Sequence, residues 1–509
     1  MARTRFAAPI ASGLAATAAG LAAAEVTAHL AECSSLVDAG AKYVIDKIPV
    51  PIVELGVRLL RDRDKPLLRT VVPLSALGIG TAASRLPSPA PEVGLLGLAA
   101  AGALAARRIP PRRPWAPAAA GAVVAVVTRR LVSSRLAAAT LTALGLAALG
   151  AVRLSPGWRK AGHERRAAAL HLAIGQRLPP SVDGAEGWGH PTPLFTPVDD
   201  FYRTDVNFGV PLVDPGAWRL KVRGLVHNSV DLGWDELIAL GTTEFDSVMV
   251  CIHNDTDGRW AGNVRLIGIP LERVAALAGP SNRVAALETR AVDGYTITLP
   301  AGLTADGRFP GYVVVGMNGR VLSPEHGFPA RAFVPGLFGQ FAGAKWLAEL
   351  VFAGERQPDY WGARGWPAKS VGVVPQARID TPVHRAHVST VVEVAGVAWA
   401  PPSGVAAVEV AVDDGPWQRA EIAGELAPLA WRRWRCGPLD LGVGSHRLRA
   451  RAVAVDGTVQ EGRPRPYYPV GVGGYHIIKV RAGRGQTGRE PTSTVATLQT
   501  APTPARGQE

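Results

Sequence analysis

The sequence predicts three structural parts: an N-terminal α-helical membrane bundle, a mixed α+β domain and a C-terminal immunoglobulin-like β-sandwich. Hydrophobicity divides the 509-residue chain, because residues 1–155 are dominated by Ala, Leu, Val and Gly while the remainder has a globular composition. Strands and short helices follow one another between about 201 and 377, a pattern typical of α+β domains. From 378 onwards, short alternating strands are separated by Asp-Gly turns, which indicates a sandwich.

We expect residues 1–155 to form a multi-span membrane anchor. Arginine clusters flank five apolar runs, at 7–30, 67–84, 92–106, 115–128 and 136–152. Several runs are shorter than the ~20 residues of a comfortable span, and snorkelling arginines can make up the difference. The expected protein is therefore a multi-pass protein of the cell membrane that contacts lipid. No twin-arginine pair precedes the first run, which favours the cytoplasmic face for the globular domains.

The net charge of +13 comes from 55 Lys and Arg against 42 Asp and Glu. The densest arginine clusters lie beside apolar runs, so the charge does not indicate a nucleic-acid partner. The three cysteines are Cys33, Cys251 and Cys436, too few for a disulfide framework or a four-thiolate zinc site. The chain also lacks a haem-attachment motif, and no Gly-x-Gly-x-x-Gly lies between a predicted strand and a predicted helix.

The stretch 247–265 carries most of the chemistry that the sequence suggests. A β-branched run ends at Cys251, and a turn rich in Asn, Asp and Gly follows it. A strand holds a thiolate rigidly, and backbone amides of such a turn can face a bound group, so Cys251 is a candidate metal ligand. An inert buried cysteine is the alternative. Cys251 and His253 also share one strand face as a possible zinc pair, but no Cys or His motif supplies two further ligands.

Four segments, in order, resemble the sulfite oxidase-like molybdenum enzymes, specifically a membrane-anchored bacterial branch. The similarity runs from about 201 to 480, and the segments that carry it are Phe201-Tyr202-Arg203 onwards, Cys251-x-x-Asn254 with Gly262-Asn263, His326-Gly-Phe-Pro-x-Arg331 onwards to Lys345-Trp346, and Ile379-Asp-Thr-Pro with Gly396-Val-Ala-Trp399. The resemblance implies that 201–377 is a mixed α+β sulfite oxidase-like molybdopterin domain.

The resemblance also implies a molybdopterin cofactor, with Cys251 as the protein ligand of the metal. A soft thiolate suits such a metal, and the pterin dithiolene supplies further ligands. The residues that the resemblance assigns to cofactor binding are Tyr202, Arg203, Asn207, Asn254, Asn263, His326, Arg331 and Lys345. Sulfite enzymes of the family place an arginine shortly after the cysteine. Here the first arginines are Arg259 and Arg265, which become the catalytic candidates beside Cys251.

The predicted domains are a membrane anchor at 1–155, a linker and lead-in segment at 156–200, a catalytic domain at 201–377, an Ig-like dimerisation domain at 378–481 and a disordered tail at 482–509. The expected function is oxygen-atom transfer on a small sulfite-like or sulfoxide-like substrate by a homodimer that exchanges electrons with a separate cytochrome or quinone. The alternative is a catalytically inactive, membrane-tethered scaffold that binds cofactor or a partner. The altered turn after Cys251 is the reason for keeping that alternative.

Overall fold

The computed structural model describes residues 2–30, 35–47, 64–84, 90–106, 115–131, 135–154, 163–207, 209–300, 311–366 and 371–483. The predicted linker at 156–200 is described from residue 163 onwards. The predicted disordered tail lies outside the described residues, apart from residues 482 and 483, which belong to the last strand.

The N-terminal part consists of packed α-helices. In the described residues they are α1 (Ala2–Leu30), α2 (Leu36–Lys47), α3 (Asp64–Ala83), α4 (Ala90–Ala106), α5 (Trp115–Leu131) and α6 (Arg135–Leu154). Small residues bring α1 close to α5 and α6. A Cβ added at Gly20 would lie 2.7 Å from the Ala125 side chain, and one at Gly145 would lie 2.9 Å from the Ala18 backbone. Much of the alanine and glycine therefore serves close helix–helix packing.

The expectation of a membrane bundle is wrong. Within the described ranges, every helix falls short of the length or the hydrophobicity that a bilayer crossing demands. Helices α4 and α5 have 17 residues each, which at ~1.5 Å per residue is shorter than the ~30 Å hydrocarbon core. Helix α5 also carries Arg129 and Arg130 in its last turn. This finding overturns the predicted anchor at 1–155 and the predicted multi-pass location in the cell membrane. The cytoplasmic orientation and the lipid contact depended on that anchor and are withdrawn with it.

Two sheets build the domain that contains Cys251. The elements of this domain are β1 (Leu220–Gly224), β2 (Val230–Leu232), α7 (Trp234–Ala239), β3 (Thr243–Val250), β4 (Ala261–Pro270), α8 (Leu271–Ala278), β5 (Ala286–Ala291), β6 (Thr296–Pro300), β7 (Tyr312–Met317), β8 (Arg320–Val321), β9 (Arg331–Phe333) and β10 (Leu347–Ala353). One sheet has the order β2-β1-β10-β5-β6. The other has the order β3-β4-β7-β8, with β9 paired to β7. This is the predicted mixed α+β architecture.

Apolar side chains fill the space between these elements and fix where β3 ends. Leu220, Leu237 and Ile267 are fully buried in one cluster. Burying an aliphatic side chain of this size stabilises the fold by about 1.5–3 kcal/mol. Strand β3 runs antiparallel to β4 up to the pair of Val250 and Ala261. Cys251 follows directly and is held at the edge of a packed sheet.

The C-terminal part is the predicted β-sandwich. Its strands are β11 (Gln376–Thr381), β12 (His387–Ser389), β13 (Val391–Trp399), β14 (Val405–Val412), β15 (Gln418–Arg419), β16 (Glu421–Ile422), β17 (Arg432–Asp440), β18 (Gly444–Ala454) and β19 (His476–Gly483). The two sheets have the orders β11-β13-β17-β16 and β12-β19-β18-β14-β15. Val410, Trp434 and Leu448 are buried between them. Strands β14 and β15 form the hairpin that the Asp-Gly turn at 414–415 predicts.

The sandwich contacts the strand and the turn that carry Cys251. The Val248 N–H donates to the Leu429 carbonyl at 2.7 Å. The guanidinium of Arg378 donates to the Gly258 carbonyl at 2.7 Å. Gly258 has a φ of 65°, and a Cβ there would lie 2.5 Å from the Arg378 side chain. The cysteine turn is therefore packed between two domains, and its conformation depends on both.

Candidate functional site

Cys251 lies where β3 turns away from its sheet. Its N–H donates to the Trp260 carbonyl at 2.9 Å, and its carbonyl accepts from the Asn254 N–H at 3.0 Å. The thiol is buried and free. Burial raises the pKa of Cys251 to about 11, so a thiolate here needs a bound cation to stabilise it.

No group of three or more His, Cys, Asp and Glu side chains in the described ranges could hold a metal ion by itself. A metal at Cys251 must therefore take its remaining ligands from a bound cofactor or from solvent. Zinc paired to Cys251 and His253 would face the same shortage of protein ligands.

Tyr202 and Thr204 lie beside the cysteine. The Thr204 side chain is hydrogen-bonded to Cys251, and this bond opposes the increase in thiol pKa that burial causes. Burial raises the pKa of Tyr202 above its usual range, the nearby Cys251 adds to this increase, and Arg331 opposes it. A Cβ added at Gly339 would lie 3.4 Å from the Tyr202 hydroxyl. The structure thus brings Tyr202, predicted from the sequence, close to Cys251 and also close to Arg331.

The remaining predicted basic residues form a connected group. The ring of His326 donates from Nε2 to the Val198 carbonyl at 3.2 Å, and burial lowers its pKa to about 4. Lys345 donates to the Glu325 carbonyl at 2.9 Å and forms an ion pair with Asp205. Arg203 lies 3.9 Å from the Glu325 carboxylate. Arg331 donates to the His326 carbonyl at 3.4 Å.

Among the buried nitrogen donors that have no hydrogen-bond partner in the described residues, three belong to the segments around the candidate site. They are Nδ2 of Asn254, Nε of Arg331 and Nε2 of Gln340. A buried donor without a partner costs about 1–3 kcal/mol. A pterin with its phosphate carries oxygen and nitrogen acceptors that such donors can bind. The residues present therefore fit a molybdopterin. Sequence reasoning missed Gln340 and Thr204, because neither differs in sequence from an ordinary surface residue.

Two predicted cofactor residues instead hold the surrounding segments. Asn207 donates to the Asp293 carboxylate at 2.7 Å. Asn263 is fully buried. It donates to the Leu194 carbonyl at 3.1 Å and accepts from the Trp431 N–H at 3.1 Å. These contacts attach the lead-in segment and the sandwich to the sheet that carries Cys251.

The two predicted catalytic arginines are not brought to Cys251 by any contact in the described parts of the chain. Arg265 donates twice to the Asp246 carboxylate, at 2.8 Å for each bond. The Arg259 side chain is 72% exposed and lies 3.2 Å from the Asp257 carboxylate. Their catalytic role stays a prediction.

His253 lies directly beside the cysteine. Its Nδ1 is 3.8 Å from the Cys251 sulfur, and its ring packs on Tyr467 with a centroid separation of 4.2 Å. Burial lowers the pKa of His253 to about 4, so the ring is neutral at pH 7.

A buried strand-end cysteine beside unpaired donors and basic side chains is an arrangement that suits a bound molybdopterin. The comparisons with known proteins agree. Residues 207–361 match the family model described as the oxidoreductase molybdopterin binding domain. The chain is 31% identical over 156 residues to the uncharacterized oxidoreductase YuiH of Bacillus subtilis, a match that covers 30% of this chain and 74% of that protein. The chain therefore belongs to the sulfite oxidase-like molybdopterin-binding oxidoreductases, and its cofactor is molybdopterin.

Other relatives match over less of their own length or less strongly. Mitochondrial sulfite oxidase of Mus musculus is 28% identical over 304 residues, covering 50% of this chain and 54% of that enzyme. The chain thus spans about half the length of this relative. The crystal structure of the sulfane dehydrogenase SoxCD from Paracoccus pantotrophus has a TM-score of 0.49 and 21% identity, covering 60% of this chain and 93% of that chain. The predicted family is confirmed, while its membrane-anchored branch is not.

Proposed function

We propose that the chain catalyses oxygen-atom transfer at a molybdenum held by Cys251, on a small sulfite-like or sulfoxide-like substrate. When bound, the cofactor supplies a metal that exchanges an oxygen atom with the substrate. The observation that supports the proposal most is the position of Cys251. It is a buried thiol at a rigid strand end, hydrogen-bonded to Thr204 and close to Tyr202, which also lies near Arg331.

The chain's own residues would bind and orient the cofactor. Arg331 and Lys345 supply positive charge for the phosphate, because buried cations bind such anions strongly. The side-chain amides of Asn254 and Gln340 have unpaired donors that suit the pterin ring. His326 is held neutral by burial, and its ring is fixed by the hydrogen bond to Val198. It would therefore contact the cofactor as a neutral, fixed ring and not as a cation. Tyr202 and Arg203 would contact the cofactor from the segment that follows the lead-in residues 156–200.

The contacts favour an uncharged sulfoxide over sulfite. An oxyanion needs a cation beside the metal, but the two arginines that follow Cys251 are paired to Asp257 and Asp246. Arg331 is assigned to the cofactor phosphate. Reduction of a sulfoxide breaks the S=O bond, consumes two electrons and two protons, and yields a sulfide and water. A separate cytochrome or quinone would supply the electrons, since the described residues include no cluster of metal-ligating side chains for a second centre.

We also propose a homodimer formed through the sandwich domain, residues 378–481. Exposed apolar side chains in this domain support an interface, and Val383, Val391 and Val443 are each more than half exposed. Exposed apolar groups of this kind are common at contacts between subunits. Analytical ultracentrifugation of the full chain tests the proposal, and a monomer at micromolar concentration would contradict it.

Metal analysis and a redox cycle test the proposed activity. The full chain is purified from a host that makes molybdopterin, and molybdenum per chain is measured. Reduction by dithionite and reoxidation by dimethyl sulfoxide should follow, with sulfide formed in proportion. Cys251→Ala should lose this reoxidation, whereas Cys436→Ala should retain it, because Cys436 is the buried cysteine of the sandwich core.

Two outcomes would contradict the proposal. Full reoxidation by dimethyl sulfoxide in Cys251→Ala would remove the cysteine from the chemistry. A fully loaded wild-type protein that is reduced by dithionite but reoxidised by no sulfoxide and reduced by no sulfite would instead support a cofactor-binding scaffold without turnover.

A further inference from the structure

The imidazole of His253 points one nitrogen at the sulfur of Cys251. Nδ1 lies 3.8 Å from Sγ, within the longer range of contacts that sulfur accepts. No other hydrogen bond to this ring is formed among the described residues. A metal-bound thiolate carries no proton, so it can only accept a hydrogen bond. In the loaded protein the proton between the two groups must then belong to Nδ1.

Aromatic rings fix the orientation of this imidazole. Tyr467 packs on it at 4.2 Å between centroids, at an interplanar angle of 51°. Trp260 and Trp366 lie at 6.3 and 6.5 Å in edge-on arrangements. Tyr467 is itself buried and lies between β18 and β19, so it comes from the sandwich domain. A side chain of one domain thus holds a group that contacts the metal-binding residue of the other.

We propose that His253 is a positioning residue that donates an N–H···S hydrogen bond to the Cys251 thiolate and raises the reduction potential of the bound molybdenum, with Tyr467 holding the imidazole in place. The inference rests on the proposed role of Cys251 as the metal ligand. A hydrogen bond to a ligating sulfur withdraws electron density from it, which weakens its donation to the metal and favours the reduced state.

The test compares two substitutions of similar fold but different hydrogen bonding. His253→Leu keeps apolar bulk and removes the donor, while His253→Asn keeps a donor close to the Nδ1 position. After molybdenum is measured, each protein is titrated potentiometrically and followed by the paramagnetic resonance of the half-reduced metal and by sulfur-to-metal charge-transfer absorption. His253→Leu should shift the potential downwards and move the absorption band, whereas His253→Asn should stay near the wild-type values.

The tyrosine gives a second, independent test. Tyr467→Phe keeps the ring that packs on the imidazole and should leave the potential unchanged. Tyr467→Ala removes it and should shift the potential in the same direction as His253→Leu, by a smaller amount. If His253→Leu fails to fold, the contrast between Tyr467→Phe and Tyr467→Ala decides the question. Unchanged potential and absorption in loaded His253→Leu, or in loaded Tyr467→Ala, would overturn the inference.

Failure of this inference is distinguishable from failure of the proposed function. If Cys251→Ala retains both molybdenum and the charge-transfer band, the ligand assignment is wrong, and the inference about His253 is then wrong as well. If Cys251→Ala loses the band while His253→Leu retains the wild-type potential, the ligand assignment stands and only the role of His253 is wrong.

Discussion

The carboxylate of Asp183 and the guanidinium of Arg433 form a buried two-point ion pair between the lead-in segment and β17 of the sandwich. Arg433 Nε lies 2.8 Å from one carboxylate oxygen, and the Ala185 N–H donates to the other oxygen at 3.1 Å. Burial opposes the charge on Asp183, but the hydrogen bonds from Arg433 and Ala185 outweigh it. They hold the pKa of this carboxyl below its usual value of 3.8.

Asp183→Asn should destabilise the protein by about 3 kcal/mol, because it leaves the charge of Arg433 buried without a partner. Urea unfolding at pH 7 measures the loss. The lowered pKa means that the wild-type advantage is present above pH 3.8 and is lost as the pH falls through the lower folded-state value. The difference between wild type and Asp183→Asn should therefore shrink only below about pH 4.

Asp414→Asn is the matched control for this pair. Asp414 lies 2.8 Å from Arg447, but its side chain is 78% exposed, and exposed ion pairs contribute little. It should leave unfolding unchanged. Equal losses in Asp414→Asn and Asp183→Asn would show that burial does not set the strength of the first pair.

Arg331→Lys should lower cofactor content even though it keeps the charge. Lysine cannot reproduce the planar fork of Arg331, whose Nε is buried and unpaired among the described residues. Loss of such a contact costs about 10-fold or more in cofactor affinity. Molybdenum analysis and the fluorescence of released, oxidised pterin measure it. Arg290→Lys is the control, because Arg290 is a half-exposed partner of Glu288. Unaltered loading of Arg331→Lys would argue against the cofactor contact.

Cys251 should make the cofactor-free protein sensitive to alkaline pH. The folded-state pKa is raised by burial to about 11, against an ordinary value of 9.0. Stability is therefore complete below pH 9 and is lost as the pH rises towards 11, by about 2–3 kcal/mol in all. Cys251→Ser, which does not ionise in this range, should show a smaller alkaline loss in thermal unfolding. The same alkaline slope in both proteins would be evidence that the thiol is not desolvated.

Gly262→Ala should reduce cofactor loading by displacing a neighbouring ring. A Cβ at Gly262 would lie 2.6 Å from the ring of Phe201. The ring of Phe201 lies 5.7 Å from the ring of His326. Phe201 also directly precedes Tyr202 in the sequence. We expect molybdenum content to fall several-fold, in line with other contacts one step from a metal site. Gly187→Ala, where a Cβ would meet nothing within 4 Å, should load normally. Loading that is equal in the two variants would contradict the prediction.

Part of the site was predictable because its residues follow one another in an informative order. Cys251, His326 and Arg331 stand in motifs whose sequence and spacing are readable without a structure. The ion pair of Arg265 was not predictable, because its partner, Asp246, lies opposite it only through the pairing of β3 with β4. That register depends on packing against the core, which a single sequence does not display. Gln340 was identified only by its burial, and Thr204 only by its hydrogen bond to Cys251.

The membrane expectation failed for a different physical reason. Alanine is common in both membrane helices and closely packed helical bundles, so its abundance does not separate the two. The contact of Gly20 with Ala125 depends on how two helices are arranged, and the sequence of either helix alone does not reveal it. Composition correctly indicated helices, but it did not indicate whether they face lipid or one another.

The hydrogen bond between the Val248 N–H and the Leu429 carbonyl has a consequence for how the chain unfolds. Trp399 and Trp431 of the sandwich share one buried cluster with Val248 and Ile252 of the cysteine strand. A fragment ending at residue 377 would uncover that cluster, and the strand that carries the metal ligand would lose its support. We therefore expect the two C-terminal domains to unfold in a single cooperative transition. The boundary visible in the sequence at 377 would then separate two architectures but not two independently folding units.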